Sequence, residues 1–144
     1  MTTVRHILQG KGATVWTIPP DASVREAVKM MNENDIGLLV IAKGDDVVGI
    51  ISERDIARKV ILKDKSSVTT PVRDIMTADV ITITPDQSID TCMALMTSKH
   101  IRHLPVMDGK KLAGLVSIGD VVKATIVEKE QLIKELQNYI TGGR

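Results

Sequence analysis

Apolar positions along this chain change rhythm several times, and each change occurs twice. Val24, Ala27, Val28 and Met31 recur at helical spacing behind Ser23, a natural N-cap, so the pattern predicts an amphipathic helix there. Ile89, Cys92, Met93 and Met96 repeat it behind Ser88. Ahead of each helix lies a short β-branched piece, TVWTI or DVITI, that ends at a Pro-Asp turn. Behind each comes a continuous apolar strand, GLLVIA or HLPVMD, then a hairpin turn, KGDD or DGKK. A second strand, VVGIIS or LAGLVS, follows, with a second helix expected from Asp55 or Asp120. The order is β-α-β-β-α, twice, which is an α+β fold. Pro105 inside the second copy's strand marks an edge, or a place that needs no N–H donor.

The two copies are in register. An offset of 65 residues carries GIISERDI, from Gly49, onto GLVSIGDV, from Gly114, and VWTIPPDAS, from Val15, onto VITITPDQS, from Val80. No gap is needed between Val15 and Ile56, so one supersecondary unit is built twice. Upstream, VRHIL from Val4 echoes VRDIM from Val72 at an offset of 68, and both read as short helices leading into the halves. The polar, aperiodic stretch KDKSSVTT, from Lys63, reads as the linker. After Val121 the helical pattern runs on through IVEKEQLIKELQNYI, with Ile126, Ile133, Leu136 and Ile140 on one face and GG as its stop. The domains are accordingly expected at 8–67 and 74–132, with a tail at 133–144.

Composition narrows the function. The formal charge is +1 over 144 residues, with Trp16 and Tyr139 the only aromatics. Neither a basic footprint nor a stacking platform for nucleic acid is present. Cys92 is the single cysteine, which forbids an intramolecular disulfide and fits a reducing compartment. The start, MTTVRHILQGKG, lacks the apolar run of a signal peptide, and no apolar stretch approaches the roughly 20 residues that span a bilayer. A cytoplasmic protein without membrane contact is expected. Catalytic signatures are missing too: no glycine-rich phosphate loop, no nucleophile beside a base, no metal cluster. Gly10-Lys11-Gly12 is too short for a phosphate loop.

The twin Ser-x-x-Asp segments carry the chemistry. Read plainly, Ser followed three residues on by an acid is a capping box. Read for function, a strand end feeding a helix start offers free N–H groups to an anion. Asp55 and Asp120 are short carboxylates suited to a ribose diol, with the Ser52 and Ser117 hydroxyls beside them. Gly49 and Gly114 would let a ligand or another backbone come close.

With the VRDIMTADVITITPDQS and IRHLPVMDGKKLAGLVS segments added, the chain resembles a tandem pair of CBS domains, the modules named for cystathionine β-synthase. More narrowly it resembles the small stand-alone bacterial CBS-pair proteins assigned to signal transduction. The resemblance implies a pseudo-two-fold disc, two clefts between the repeats, and adenosyl ligands in them: AMP, ADP, ATP, NAD(H) or S-adenosylmethionine. It implies that Ser52, Asp55, Ser117 and Asp120 hold ribose, and that Thr17 and Thr82 lie near base or ribose. Ile36, Gly37, Leu38 and Leu39, with Ile101 and Leu104, would line the base slots. It also implies a homodimer, which the tail helix would reinforce, and an unidentified downstream protein target. Arg102 and His103 stand where the first copy has Gly37 and Leu38, and Arg54 stands where the second has Gly119. These three basic residues are expected to converge on phosphate and to make the two clefts unequal.

The expected function is therefore a non-enzymatic regulatory module that reads adenosyl nucleotides. The competing reading is a ligand-free interaction module in which Ser-x-x-Asp only caps helices. His100 and His103 have no partner at ligand spacing, so no metal site is expected. Cys92 aligns with Ala27 and reads as a buried small residue, Trp16 is expected to be partly buried, and Arg58 and Lys59 read as a solvated helix face.

Overall fold

The computed structural model describes residues 2–141. The elements in chain order are α1 (Val4–Lys11), β1 (Thr17–Ile18), α2 (Val24–Asn34), β2 (Leu38–Lys43) and β3 (Asp46–Ser52). Then come α3 (Glu53–Ile56), continued by a π-helical turn at Ala57–Ile61, and a 3-10 turn at Val72–Asp74. The second half has α4 (Ile89–Lys99), β4 (His103–Asp108), β5 (Lys111–Ser117) and the long α5 (Ile118–Ile140). Two mixed α+β units result, one of residues 14–81 with 109–112, the other of residues 2–13, 82–108 and 113–141.

Within the first repeat, β1 pairs parallel with β2, and β2 pairs antiparallel with β3. Val24, Ala27 and Met31 of α2 join Leu39, Ile41 and Ile51 of the sheet in one aliphatic core. Ser23 and Ser88 cap α2 and α4 as their positions predict, each accepting the backbone N–H three residues on. Both helices stop at a left-handed residue, Asp35 and His100, so His100 serves as a helix terminus.

Three expectations change. The second copy's first strand shrinks to one parallel bridge, Ile83 to Val106. Proline explains it: Val40 donates its N–H to the Trp16 carbonyl, and Pro105, its counterpart, has no N–H to give. The helices after β3 and β5 start at Glu53 and Ile118, two residues before the aspartates, because Ser52 and Ser117 are their N-caps. The predicted helix after Val121 is present to Ile140, but the GG stop lies outside the described residues.

The third change concerns the two echoing segments. The segment at 2–8 precedes the first repeat in sequence yet docks on the second. Val4 and Arg5 donate their N–H groups to the Gln87 and Pro85 carbonyls, and Ile89 donates to Thr2. In the other unit Val72 and Arg73 donate to the Ala22 and Pro20 carbonyls, and Val24 donates to Thr70. Every partner is displaced by the offsets read in the sequence. Val4 and Val72 are fully buried by this docking. Gly49 and Gly114 make room for it: a Cβ at either would overlap Met76 or Leu8, a third equivalent pair. The close neighbour that these glycines admit is thus a docked side chain of the chain itself.

Candidate functional site

Each Ser-x-x-Asp segment sits at the junction of a strand with a helix. Ser52 donates its N–H to Asp55 Oδ2 at 3.0 Å, and Asp55 returns its own N–H to Ser52 Oγ at 3.1 Å. Ser117 and Asp120 repeat the exchange at 2.9 and 3.1 Å. These are complete capping boxes. Hence the plain reading of the motif is correct as far as it goes. The carboxylates are nevertheless only partly covered, with side-chain exposures of 19% for Asp55 and 23% for Asp120.

A lysine meets each of them, from different places. Lys59 Nζ, one turn along from Asp55, lies 3.2 Å from its Oδ1 and donates to the Ile75 carbonyl at 3.0 Å. Lys59 is thus exposed, as expected of a solvated helix face, and its ammonium is also tied to the box. Lys11 Nζ, from α1, donates to Asp120 Oδ2 at 2.7 Å and to the Leu115 carbonyl at 2.9 Å. Burial raises the Asp120 carboxyl, but the bonds from Lys11 and Ser117 outweigh it and hold the group below its ordinary range. Asp120 Oδ2 takes both of those bonds, which leaves Oδ1 as a spare acceptor among the described residues.

The remaining predicted residues divide. Thr17 and Thr82 are exposed, Ile36 and Ile101 half-buried, and Gly37 exposed. Leu39 and Leu104 are fully buried and Leu38 is nearly so. These three leucines are core side chains. Backbone groups nearby are in use: the Gly37 and Arg102 carbonyls accept the first N–H of α3 and α5, from Glu53 and Ile118. Arg54 and Arg102 are exposed and belong to different units. Trp16 is 44% exposed, and Cys92 is buried, with its thiol pushed up by desolvation. Among the described residues no group of His, Cys, Asp and Glu could hold a metal ion, and no helix is long and apolar enough to cross a membrane.

His103 is half-buried at the start of β4. Burial lowers it from the ordinary histidine value; Lys11 and Arg102 push the same way, and Asp120 opposes them. In the unfolded chain this ring protonates near pH ~6.5, and in the folded chain only at lower pH. Above about pH 6.5 it is neutral in both states and contributes nothing to the balance. Below it the unfolded chain binds more protons, so stability falls as pH drops. Denaturant titrations from pH 7 to 5 should show that loss, and His103→Gln should lack its share. An equal slope in both proteins would refute it. Asp120 acts in the same direction but in a separate window, below its ordinary value of 3.8.

Lys11 and Lys59 are the residues that sequence reasoning missed. Neither has a motif around it, and only the crossed docking of α1 brings Lys11 to Asp120.

An open cavity of about 410 Å³ adjoins Asp120, between α1 and α5. The family model for the CBS domain matches residues 13–62 and 72–126. A mitochondrial CBS domain-containing protein of Arabidopsis thaliana, CBSX3, is 40% identical over 99% of this chain and 73% of its own. The structure of a protein with CBS domains from Burkholderia ambifaria matches with a TM-score of 0.83 at 52% identity, over 88% of this chain and 95% of that one. The CBS domain pair of protein MJ0100, solved with 5′-methylthioadenosine and S-adenosyl-L-methionine, matches with a TM-score of 0.77 at 28% identity, over 89% and 98%.

Proposed function

The chain belongs to the CBS-domain family, as a tandem pair, and on that footing we propose that it is a non-enzymatic regulatory module for adenosyl ligands. The observation that carries the reading is the doubled box. Each repeat ends a strand in a Ser-x-x-Asp exchange whose carboxylate is held in place and partly open. Asp120 Oδ1 can still accept from a ribose hydroxyl without breaking the cap. Asp55 and Asp120 then hold ribose, with Ser52 and Ser117 orienting them, and Thr17 and Thr82, both exposed, are assigned to base or ribose. Adenosyl ligands in the MJ0100 pair support the class of ligand. AMP, ADP, ATP and NAD(H) share that half, and Arg54, Arg102 and His103 are the groups proposed to read phosphate.

A homodimer is part of the reading. The outer half of α5 exposes Ile126, Ile133, Leu136 and Ile140, an apolar stripe at helical spacing. A signal follows from binding only where two states of the module differ in affinity for the ligand.

The test is a thermal-shift panel with AMP, ADP, ATP, NAD, NADH and S-adenosylmethionine on protein shown by mass spectrometry to be ligand-free. A compound present at about 100 times its Kd should add roughly 2.7 kcal/mol of stability. Silence across the panel would favour the ligand-free interaction module, for which the completed caps are sufficient.

A further inference from the structure

One strand carbonyl has a different partner in each unit. Ile50 of β3 and Leu115 of β5 are equivalent at the offset of 65. The Ile50 carbonyl accepts the Thr77 N–H at 2.9 Å and Ile50 donates back to Thr77, so backbone pins the docked segment to the strand. The Leu115 carbonyl accepts the Lys11 ammonium instead, at 2.9 Å. That ammonium also donates to Asp120 Oδ2, at 2.7 Å. Backbone bonds and buried Val4 thus fix the start of α1. Its last turn is held by side chains, Leu8 against Gly114 and Lys11 on Leu115 and Asp120. At the echo's offset of 68 the other unit has Asp79 where α1 has Lys11, an acid that could not close on Asp55.

We propose that Lys11 is a latch opened by a ribose diol, so that occupancy of the second repeat's site releases the last turn of α1; this rests on the reading of Asp120 as the ribose acceptor. A diol has two hydroxyls to place. Oδ1 can accept one with the latch shut, but Oδ2 already accepts from the Ser117 N–H and from Lys11. The Ser117 bond belongs to the helix cap, so the second hydroxyl reaches Oδ2 only in place of Lys11. Lys11 leaves at small cost, because it is 39% exposed and its ammonium sits on a flexible, readily hydrated stem. Gly12 follows it at φ 96°, a conformation that favours glycine, with room around it for the chain to turn. The released stretch leads into β1 of the first repeat. In the other unit the docked segment keeps its backbone bridge whether or not Lys59 leaves Asp55. The latch gives the module two states that differ in affinity for the ligand, which a sensor requires.

Hydrogen exchange on the full chain reads the latch at the amides of residues 9–12, where Gly12 donates to the Leu8 carbonyl at 2.8 Å. Saturating adenosine should speed exchange there by about three- to tenfold, the reverse of the protection that binding alone gives. 2′-Deoxyadenosine, with one of the two hydroxyls missing, should bind through Oδ1 and leave the rate unchanged. Lys11→Met should exchange fast without ligand. Calorimetry should find that it binds adenosine about three- to tenfold tighter, at the event lost in Asp120→Ala, with 2′-deoxyadenosine unaffected. Adenosine bound with residues 9–12 unchanged or slowed, or 2′-deoxyadenosine opening them equally, would overturn the latch while leaving the adenosyl reading intact. Binding of neither nucleoside would overturn the latch, and silence from AMP as well would overturn both.

Discussion

Gly49→Ala is expected to destabilise the chain by about 1–3 kcal/mol, and to cost more than the same change at Gly114. The two glycines occupy equivalent positions, so sequence alone predicts equal effects. Their neighbours differ. A Cβ at Gly49 would overlap the Met76 side chain and also lie 3.0 Å from the Thr77 carbonyl oxygen. That carbonyl is fixed, since Thr77 and Ile50 exchange both backbone hydrogen bonds, at 2.9 and 3.0 Å. At Gly114 the added methyl meets only the end of the Leu8 side chain, which can change rotamer. Leu8→Ala should therefore recover stability lost in Gly114→Ala, whereas Met76→Ala should recover only part of that lost in Gly49→Ala. Urea unfolding of the wild type, the four single variants and the two double variants forms two double-mutant cycles. A Gly49→Ala chain as stable as wild type would sink the argument.

The same docking shows where reading the sequence stops. The doubled β-α-β-β-α order, the Ser23 and Ser88 caps and the hairpins between paired strands were legible because each is fixed by local chemistry or by a period. The echo at offset 68 was legible too, but its partner was not. Val4 and Val72 are apolar wherever they dock, and nothing local tells a short helix which of two similar sheets to cover. Lys11 was invisible for that reason: its role exists only once α1 lies against the second repeat.

The site was legible in its chemistry and less so in its walls. Ser52, Asp55, Ser117 and Asp120 form the boxes that their spacing implied. Leu39 and Leu104 follow turns in a run that alternates little, and continuous apolar strands do not say which face is open. The second repeat's first strand failed at Pro105, a residue whose consequence was readable from its missing N–H although its partner, the Ile81 carbonyl counterpart of Trp16, was not.

Asp120→Asn is expected to weaken binding of the adenosyl ligand at the second repeat by about 10–100-fold with little loss of stability. The expectation separates the two roles that one carboxylate combines. As a cap, the side chain needs one oxygen to accept the Ser117 N–H at 2.9 Å, and an amide oxygen can do that. As a ribose holder, it needs the second oxygen and the charge, and the amide replaces both with a neutral NH₂ donor. Asp120→Ala removes the cap as well, so it should lose about 1 kcal/mol of stability besides the binding. Asp55→Asn should act in parallel on the first repeat, with Lys59 rather than Lys11 left short of its carboxylate. Calorimetry and denaturant unfolding on the same four proteins read both quantities. A module that used these aspartates only as caps would show the same stability pattern, alanine destabilising and asparagine not, but ligand affinity would be the same in all four.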